Sequence, residues 1–169
     1  NVSCFNLCDG TAHAIVTGGT PAYNYNWTPG NPTGDGTPNV SGLCPGTYTV
    51  TVGDTHGCSD TGIVVITQPA LLIANPTSTN ELCFGDCNGT ATAAPTGGTL
   101  PYTYDWTPGN PPGDGTPTIN NLCTGTYNVL VTDAHGCDTI QTVTVTQPTL
   151  LNVVISKMYV SCNGMCNGN

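Results

Sequence analysis

The chain has 169 residues, only 7% of them charged, with the single basic residue Lys157 against ten acidic ones and a formal charge of −9. This balance excludes nucleic acid as a natural partner, since phosphate neutralisation needs Lys and Arg, and it excludes a basic membrane-surface module. The longest apolar stretch, Leu150 to Ile155, falls far short of the roughly 20 residues a membrane span needs, so no span is expected in this window. Thirty Thr against six Ser, with 22 Gly and 14 Pro, favour pleated strands over helices. Ten Cys in an acidic chain point to an oxidising compartment, extracellular or at the cell surface, and to a disulfide framework.

The first expected strand runs from Thr11 to Thr17 and is ended by Gly18-Gly19-Thr20-Pro21. Tyr23 to Trp27 alternates aromatic and polar residues, which turns its aromatics toward a core. A polar loop from Thr28 to Pro38 follows. Next come a short strand over Asn39 to Leu43 and a longer one over Gly46 to Val52, with Tyr48, Val50 and Val52 on one face. The turn Asp54-Thr55-His56-Gly57 leads into a strand over Thr61 to Thr67. Gln68-Pro69 closes the unit, and Leu71 to Ala74 opens the next. Roughly six or seven short strands with turns at this spacing suggest a small immunoglobulin-like β-sandwich.

The same order then returns. Cys4, Cys8, Cys44 and Cys58 recur as Cys83, Cys87, Cys123 and Cys137, each step being 79 residues (83 − 4, 87 − 8, 123 − 44, 137 − 58). Trp27, Tyr48 and His56 return as Trp106, Tyr127 and His135 at the same step, and 42 of the 79 aligned positions are identical. The expected fold class is therefore all-β: tandem immunoglobulin-like β-sandwich repeats with a 79-residue period, stapled by disulfides. A first repeat spans 1–69 and need not include its opening strand. The second spans 70–148, and a third starts over 149–169, where Cys162 and Cys166 fall. With no initiating Met or signal peptide, and with Val2-Ser3-Cys4 echoed by Val160-Ser161-Cys162, the chain is expected to be a window of a longer array.

Four Cys per unit allow three pairings inside it. In an antiparallel sandwich Cys8 and Cys44 precede strands that start at the same end, which meets the short Cα separation a disulfide demands; Cys87 and Cys123 are placed alike. Cys58 opens the last strand at the opposite end, about 23 Å away, so it is not expected to reach Cys44. Cys4 then meets either Cys58 of its own unit or Cys137 of the next. The intradomain pair is preferred, with Cys83 and Cys137 its counterpart. Cys162 and Cys166 are expected to find partners beyond the window.

Metal and redox chemistry fit poorly. The C-x₃-C spacing near His13 lacks a second C-x₂-C pair, and Thr92 replaces His13 in the second unit, so no metal is expected. The spacing is not C-x-x-C, and no basic residue lies near to activate a thiol. Asp35 and Asp114 in Gly-Asp-Gly loops, and Asp54 and Asp133 in turns, each offer one carboxylate per loop. That suits Asx-type turns better than Ca²⁺, and a calcium-stabilised spacer remains an alternative, with no other cofactor expected. His56 and His135 have no nucleophile or carboxylate set around them, and no enzyme activity is expected. Trp27, Tyr48, Trp106 and Tyr127 read as core aromatics. Sequons at Asn1, Asn26, Asn39 and Asn88 are candidate N-glycan acceptors, although none recurs one period later. Thr28, Thr33, Thr37, Thr107 and Thr116 in the Thr/Pro loops are candidate O-glycan acceptors. Sugar would keep so weakly charged a surface in solution.

The ordered set Val2-Ser3-Cys4, Gly10-Thr11-Ala12, Gly18-Gly19-Thr20-Pro21, Tyr23-x-Tyr25-x-Trp27, Leu43 to Val52, Asp54-x-His56-Gly57-Cys58 and Thr67-Gln68-Pro69 resembles the SprB repeat of large bacterial cell-surface adhesins. Gly97-Gly98, Tyr102, Tyr104, Trp106, Gly125-Thr126-Tyr127 and Asp133 to Cys137 carry the resemblance in the second unit. It implies a long extracellular protein, displayed as a surface filament or adhesin, with no catalytic residue. The chain departs from the pattern in its Thr-Pro-Gly-Asn-Pro loops (28–32 and 107–111), its Cys8/Cys44 pair and its near-absence of Lys. The expected function is a structural, glycosylated extracellular repeat protein that forms a cell-surface stalk or filament. Its partners are copies of itself or neighbouring repeats; a glycan-binding adhesin module that contacts surface glycans is the alternative. Leu150 to Ile155 is expected to form an edge strand that pairs with another domain.

Overall fold

The computed structural model describes residues 1–157. Cys162, Cys166 and the remainder of the stretch assigned to a third repeat lie outside the described residues. Among the described residues the chain is all-β, with eleven strands. No helix there is long and apolar enough to cross a membrane.

Thr-rich and β-branched runs supply the strands, as their stiff side chains fit a pleated, half-buried surface. β1 (Gly10–His13) pairs with β3 (Asn39–Leu43). Opposite them, β2 (Asn24–Thr28), β4 (Gly46–Gly53) and β5 (Ser59–Ile66) form an antiparallel sheet in the order β2-β4-β5. The second half of the chain has the same arrangement with one strand more. β6 (Pro76–Thr79), β7 (Gly89–Ala93) and β9 (Thr118–Leu122) form a sheet in the order β6-β7-β9. β8 (Thr103–Thr107), β10 (Gly125–Thr132) and β11 (Asp138–Val145) form the facing one, in the order β8-β10-β11.

Each pair of sheets closes over its own core. In the first sandwich Trp27, Val50 and Ile66 of one sheet meet Val40 and Leu43 of the other. In the second, Trp106, Val129, Val131 and Val145 meet Ala91, Ala93, Ile119 and Leu122, joined by Leu72 and Ala74 from the segment before β6. Full burial of a large apolar side chain stabilises by roughly 2–3 kcal/mol, so these clusters supply most of the driving force. Gly89 lets the sheets close at β7. A Cβ there would stand 2.6 Å from Val145 Cγ1 and 2.9 Å from the Leu122 carbonyl oxygen.

Several expectations change. The strand expected over Thr11 to Thr17 ends at His13, because β3 starts at Asn39 and offers no ladder beyond it; Ala14 N–H makes a last bond to the Pro38 carbonyl at 2.8 Å. Leu71 to Ala74 holds only an isolated bridge, Ile73 to Thr96, and the regular strand begins later, at Pro76. Proline is tolerated as a first strand residue, since its missing N–H removes no interior ladder bond. Leu150 to Ile155 forms no strand, and its apolar side chains are 65–89% exposed.

The cysteine pairing also needs correction. Cys8–Cys44 and Cys87–Cys123 are bonded, with Cα separations of 4.0 and 3.8 Å. Cys4 is bonded not to Cys58 but to Cys137, at a Cα separation of 5.7 Å, so the Cys83–Cys137 pair is also absent; among the described residues Cys58 and Cys83 are free, and both are exposed. The reason is the length of β5. Val2 N–H bonds the Thr67 carbonyl at 3.0 Å, which holds Cys4 near the end of β5, whereas Cys58 directly precedes its start. Eight strand residues, roughly 26 Å, separate the two positions. Cys137 occupies the corresponding turn of the second sandwich, and that turn faces Cys4.

Candidate functional site

Among the described residues, two covalent links join the sandwiches. One is the chain itself: β5 ends at Ile66, and Leu72 already lies in the second core, 6% exposed. This connection is held from both sides. Asn6 N–H donates to Gln68 Oε1 at 2.8 Å, and Gly98 N–H donates to the Ala70 carbonyl at 2.8 Å. The other link is Cys4–Cys137. Between them lies a cleft of about 290 Å³ lined by Cys4, Phe5, Leu71, Leu72 and Cys137.

Asp133 places Cys137. Its Oδ1 accepts the N–H groups of His135 (2.8 Å) and Cys137 (3.0 Å), and its Oδ2 accepts Thr99 N–H at 2.8 Å. The side chain is buried. Burial pushes its carboxyl upward, but the N–H donors of Cys137, Thr99 and His135 outweigh that and hold it below the ordinary aspartate value. In the first sandwich Asp54 accepts N–H groups from Thr20, Cys58 and His56; the Thr20 bond leads in lowering its carboxyl. A carboxyl lowered in the folded state contributes stability that is complete above its unfolded pKa and lost as pH falls through the folded value. The urea midpoint is therefore expected to hold steady from neutral pH to about 5 and to fall below about 4. Asp133→Asn should lower the midpoint at neutral pH and flatten this acid limb. An unchanged acid limb in that variant would show that Asp133 is not its source.

The polar loops between β2 and β3, and between β8 and β9, are folded onto the tryptophans. Asp35 Oδ1 accepts the N–H groups of Trp27 (2.8 Å) and Gly36 (2.9 Å), and the Trp27 indole N–H reaches the Thr37 carbonyl at 3.0 Å. Asp114, Trp106 and Thr116 repeat these contacts at 2.8, 2.9 and 3.1 Å. These carboxylates thus work as turn locks. Tyr48 and Tyr127 are half-buried, and their hydroxyls donate to the carbonyls of Cys44 (3.2 Å) and Cys123 (3.0 Å), which fixes the disulfide corners.

All nine candidate glycan acceptors are exposed, but their side chains differ. The hydroxyls of Thr37 and Thr116 donate into their own loops, to Gly34 and Asn39 carbonyls and to Gly113 and Thr118 carbonyls. Asn1, Asn39 and Asn88 have Oδ1 engaged by Thr67 N–H, His13 Nδ1 and Leu82 N–H. Thr28 makes a long bond of 3.4 Å to the Thr49 carbonyl. Asn26, Thr33 and Thr107 carry the side chains most open to modification. Sequence reasoning missed Glu81, which is buried at 5% exposure; its Oε1 accepts Thr124 N–H and its Oε2 has no hydrogen bond among the described residues. A charged residue beside Cys83, where the first unit has Val2, was the available signal.

The fold and the junction together define a double β-sandwich, closed by disulfides within each half and joined by a disulfide between the halves. The family model of the SprB repeat matches residues 1–32 and 75–111, so the resemblance drawn from the sequence is borne out in two regions of the chain. No curated protein matches. Among solved structures, the amphioxus IgVJ-C2 molecule is similar at a TM-score of 0.41 and 15% identity, over 86% of this chain and 100% of that one. A structure addressing Dscam isoform specificity is similar at a TM-score of 0.30 and 15% identity, over 85% of this chain and 42% of that one.

Proposed function

We propose that this chain is a structural spacer in an extracellular, cell-surface stalk or filament, built from immunoglobulin-like repeats spanning 1–69, 70–148 and onward from 149, and clothed in sugar. The observation that carries the reading is the Cys4–Cys137 bridge. Neither core needs it, since each sandwich already has its own cystine. What it does is fix one sandwich against the next and route tension past the first fold and past every strand of the second but β11, which follows Cys137. Disulfides of this kind persist in oxidising compartments, which supports an external location, and the SprB match supports surface display. Trp27 and Trp106 are 2% and 0% exposed, so the aromatics a sugar-binding module would present are committed to the cores, which supports the spacer over the adhesin module.

Electron microscopy of native surface material with an antibody to this chain tests the reading. The label should follow thin surface filaments, and peptides carrying Asn26, Thr33 or Thr107 should be heavier than their bare sequence. Label confined to the cell interior would refute the spacer; bare peptide masses would remove the sugar.

A further inference from the structure

The disulfide that joins the sandwiches is the one an unfolded chain closes least readily. Cys4 and Cys137 are 133 residues apart, against 36 for Cys8–Cys44 and for Cys87–Cys123. Closure of a flexible loop falls off as about the 3/2 power of its length, so each short cystine is favoured about sevenfold over the long one. Cys8, Cys44, Cys58, Cys83, Cys87 and Cys123 all lie between Cys4 and Cys137, so every one of them is nearer to Cys4 along the chain. Cys8, the nearest, is four residues away (8 − 4). Chain statistics alone therefore leave Cys137 as the least favoured of these partners for Cys4.

The fold reverses that order. Each inner cystine needs only its own sandwich: Gly10 lies opposite Leu43 in the β1–β3 ladder, and Gly89 opposite Leu122 in the β7–β9 ladder, which brings Cys8 to Cys44 and Cys87 to Cys123. The junction needs both sandwiches, and the bonds that set it involve no sulfur. Val2 N–H donates to the Thr67 carbonyl at 3.0 Å and Asn6 N–H to Gln68 Oε1 at 2.8 Å, which ties the Cys4 segment to the end of β5. Gly98 N–H donates to the Ala70 carbonyl at 2.8 Å, and Cys137 N–H to Asp133 Oδ1 at 3.0 Å. The two Cα atoms come to 5.7 Å, a separation a disulfide spans. Between Cys4 and Cys8 the chain turns, with Leu7 N–H bonded to the Cys4 carbonyl at 3.2 Å. Cys8 thereby goes to Cys44, and Cys4 goes to the second sandwich.

We propose that Cys4–Cys137 closes last, through an external disulfide acting on two sandwiches already folded and docked, and that Cys8–Cys44 guards Cys4 by consuming the thiol nearest to it. One thiolate of the pair attacks a sulfur of the external disulfide, forming a mixed disulfide and expelling one thiol. The second thiolate then attacks the protein sulfur of that mixed disulfide and expels the other. Two protons and two electrons pass to the external disulfide, which leaves as two thiols. The reaction that completes this protein is thus thiol–disulfide exchange on a folded chain, after the step that closes the two inner cystines. This order goes beyond the spacer reading and does not depend on it.

The test dilutes the reduced, urea-unfolded chain into a mixture of oxidised and reduced glutathione. Samples are alkylated with N-ethylmaleimide at intervals, and all ten cysteines are mapped by mass spectrometry of peptic digests. Cys8–Cys44 and Cys87–Cys123 peptides should reach their plateau while Cys4 and Cys137 still take the alkyl label, and Cys4–Cys137 should follow. Cys44→Ser should divert Cys4 to Cys8 and cut the Cys4–Cys137 yield several-fold. Cys8→Ser with Cys44→Ser should restore that yield although the same cystine is missing, which separates guarding from stabilising. Cys4–Cys137 peptides that precede or accompany either inner cystine would overturn the order. No Cys4–Cys8 peptide in the single variant, or equally low Cys4–Cys137 yields in both variants, would overturn the guard.

Discussion

Trp106→Ala is expected to lower the stability of the second sandwich by about 3–5 kcal/mol, a large share of the roughly 5–15 kcal/mol that holds a typical domain folded. Trp106 is 0% exposed, and its indole N–H is bonded to the Thr116 carbonyl at 3.1 Å. Truncation therefore opens a cavity between the sheets and leaves a loop carbonyl without its donor. Trp27→Ala should cost less. The first core is more open: Val50 is 7% exposed where Val129 is 0%, and Val52 is only half-buried where Val131 is 0%. A site that already borders a cleft can relax and admit water, which reduces the cavity penalty. Denaturant unfolding followed by near-ultraviolet circular dichroism compares the two variants directly. A larger loss for Trp27→Ala would contradict this account of the cores.

Cys137→Ser is expected to have the second large effect, on coupling between the sandwiches. Chain-entropy arguments assign roughly 5 kcal/mol to closing a loop with a sequence separation of 133, against about 4 kcal/mol for the separation of 36 closed by Cys8–Cys44. The larger figure applies only when both sandwiches unfold together, because a sandwich that stays folded shortens the effective loop. In the variant, the oxidised chain's joint transition should therefore split in two. Hydrogen exchange should also rise at residues 67–71, which would then be the sole tether.

Much of this architecture was legible in the sequence, for physical reasons. Tyr48, Val50 and Val52 alternate, so β4 was expected over Gly46 to Val52 and ends one residue later, at Gly53. Asn39 to Leu43 was placed as found. What failed was long-range. Thr11 to Thr17 has the composition of a strand throughout, yet among the described residues Ile15 to Thr17 have no ladder partner, and no local pattern reveals where a partner ends. Cys4 could be assigned only once β5 was seen to hold Cys4 and Cys58 at opposite ends. Residue type marked the Thr loops as candidate sugar acceptors, but not that Thr37 and Thr116 use their hydroxyls to brace the tryptophan loops.

Single-molecule force measurement, with the chain pulled from residues 1 and 157, tests the load-bearing claim most directly. With Cys4–Cys137 intact, tension bypasses everything between the two cysteines, and only the residues before Cys4 and after Cys137, β11 included, should lengthen. After reduction, unfolding should release roughly 3.3–3.6 Å for each of 133 residues, about 440–480 Å less the folded span. The same length released from the oxidised chain would show that the bridge carries no load and would contradict the spacer.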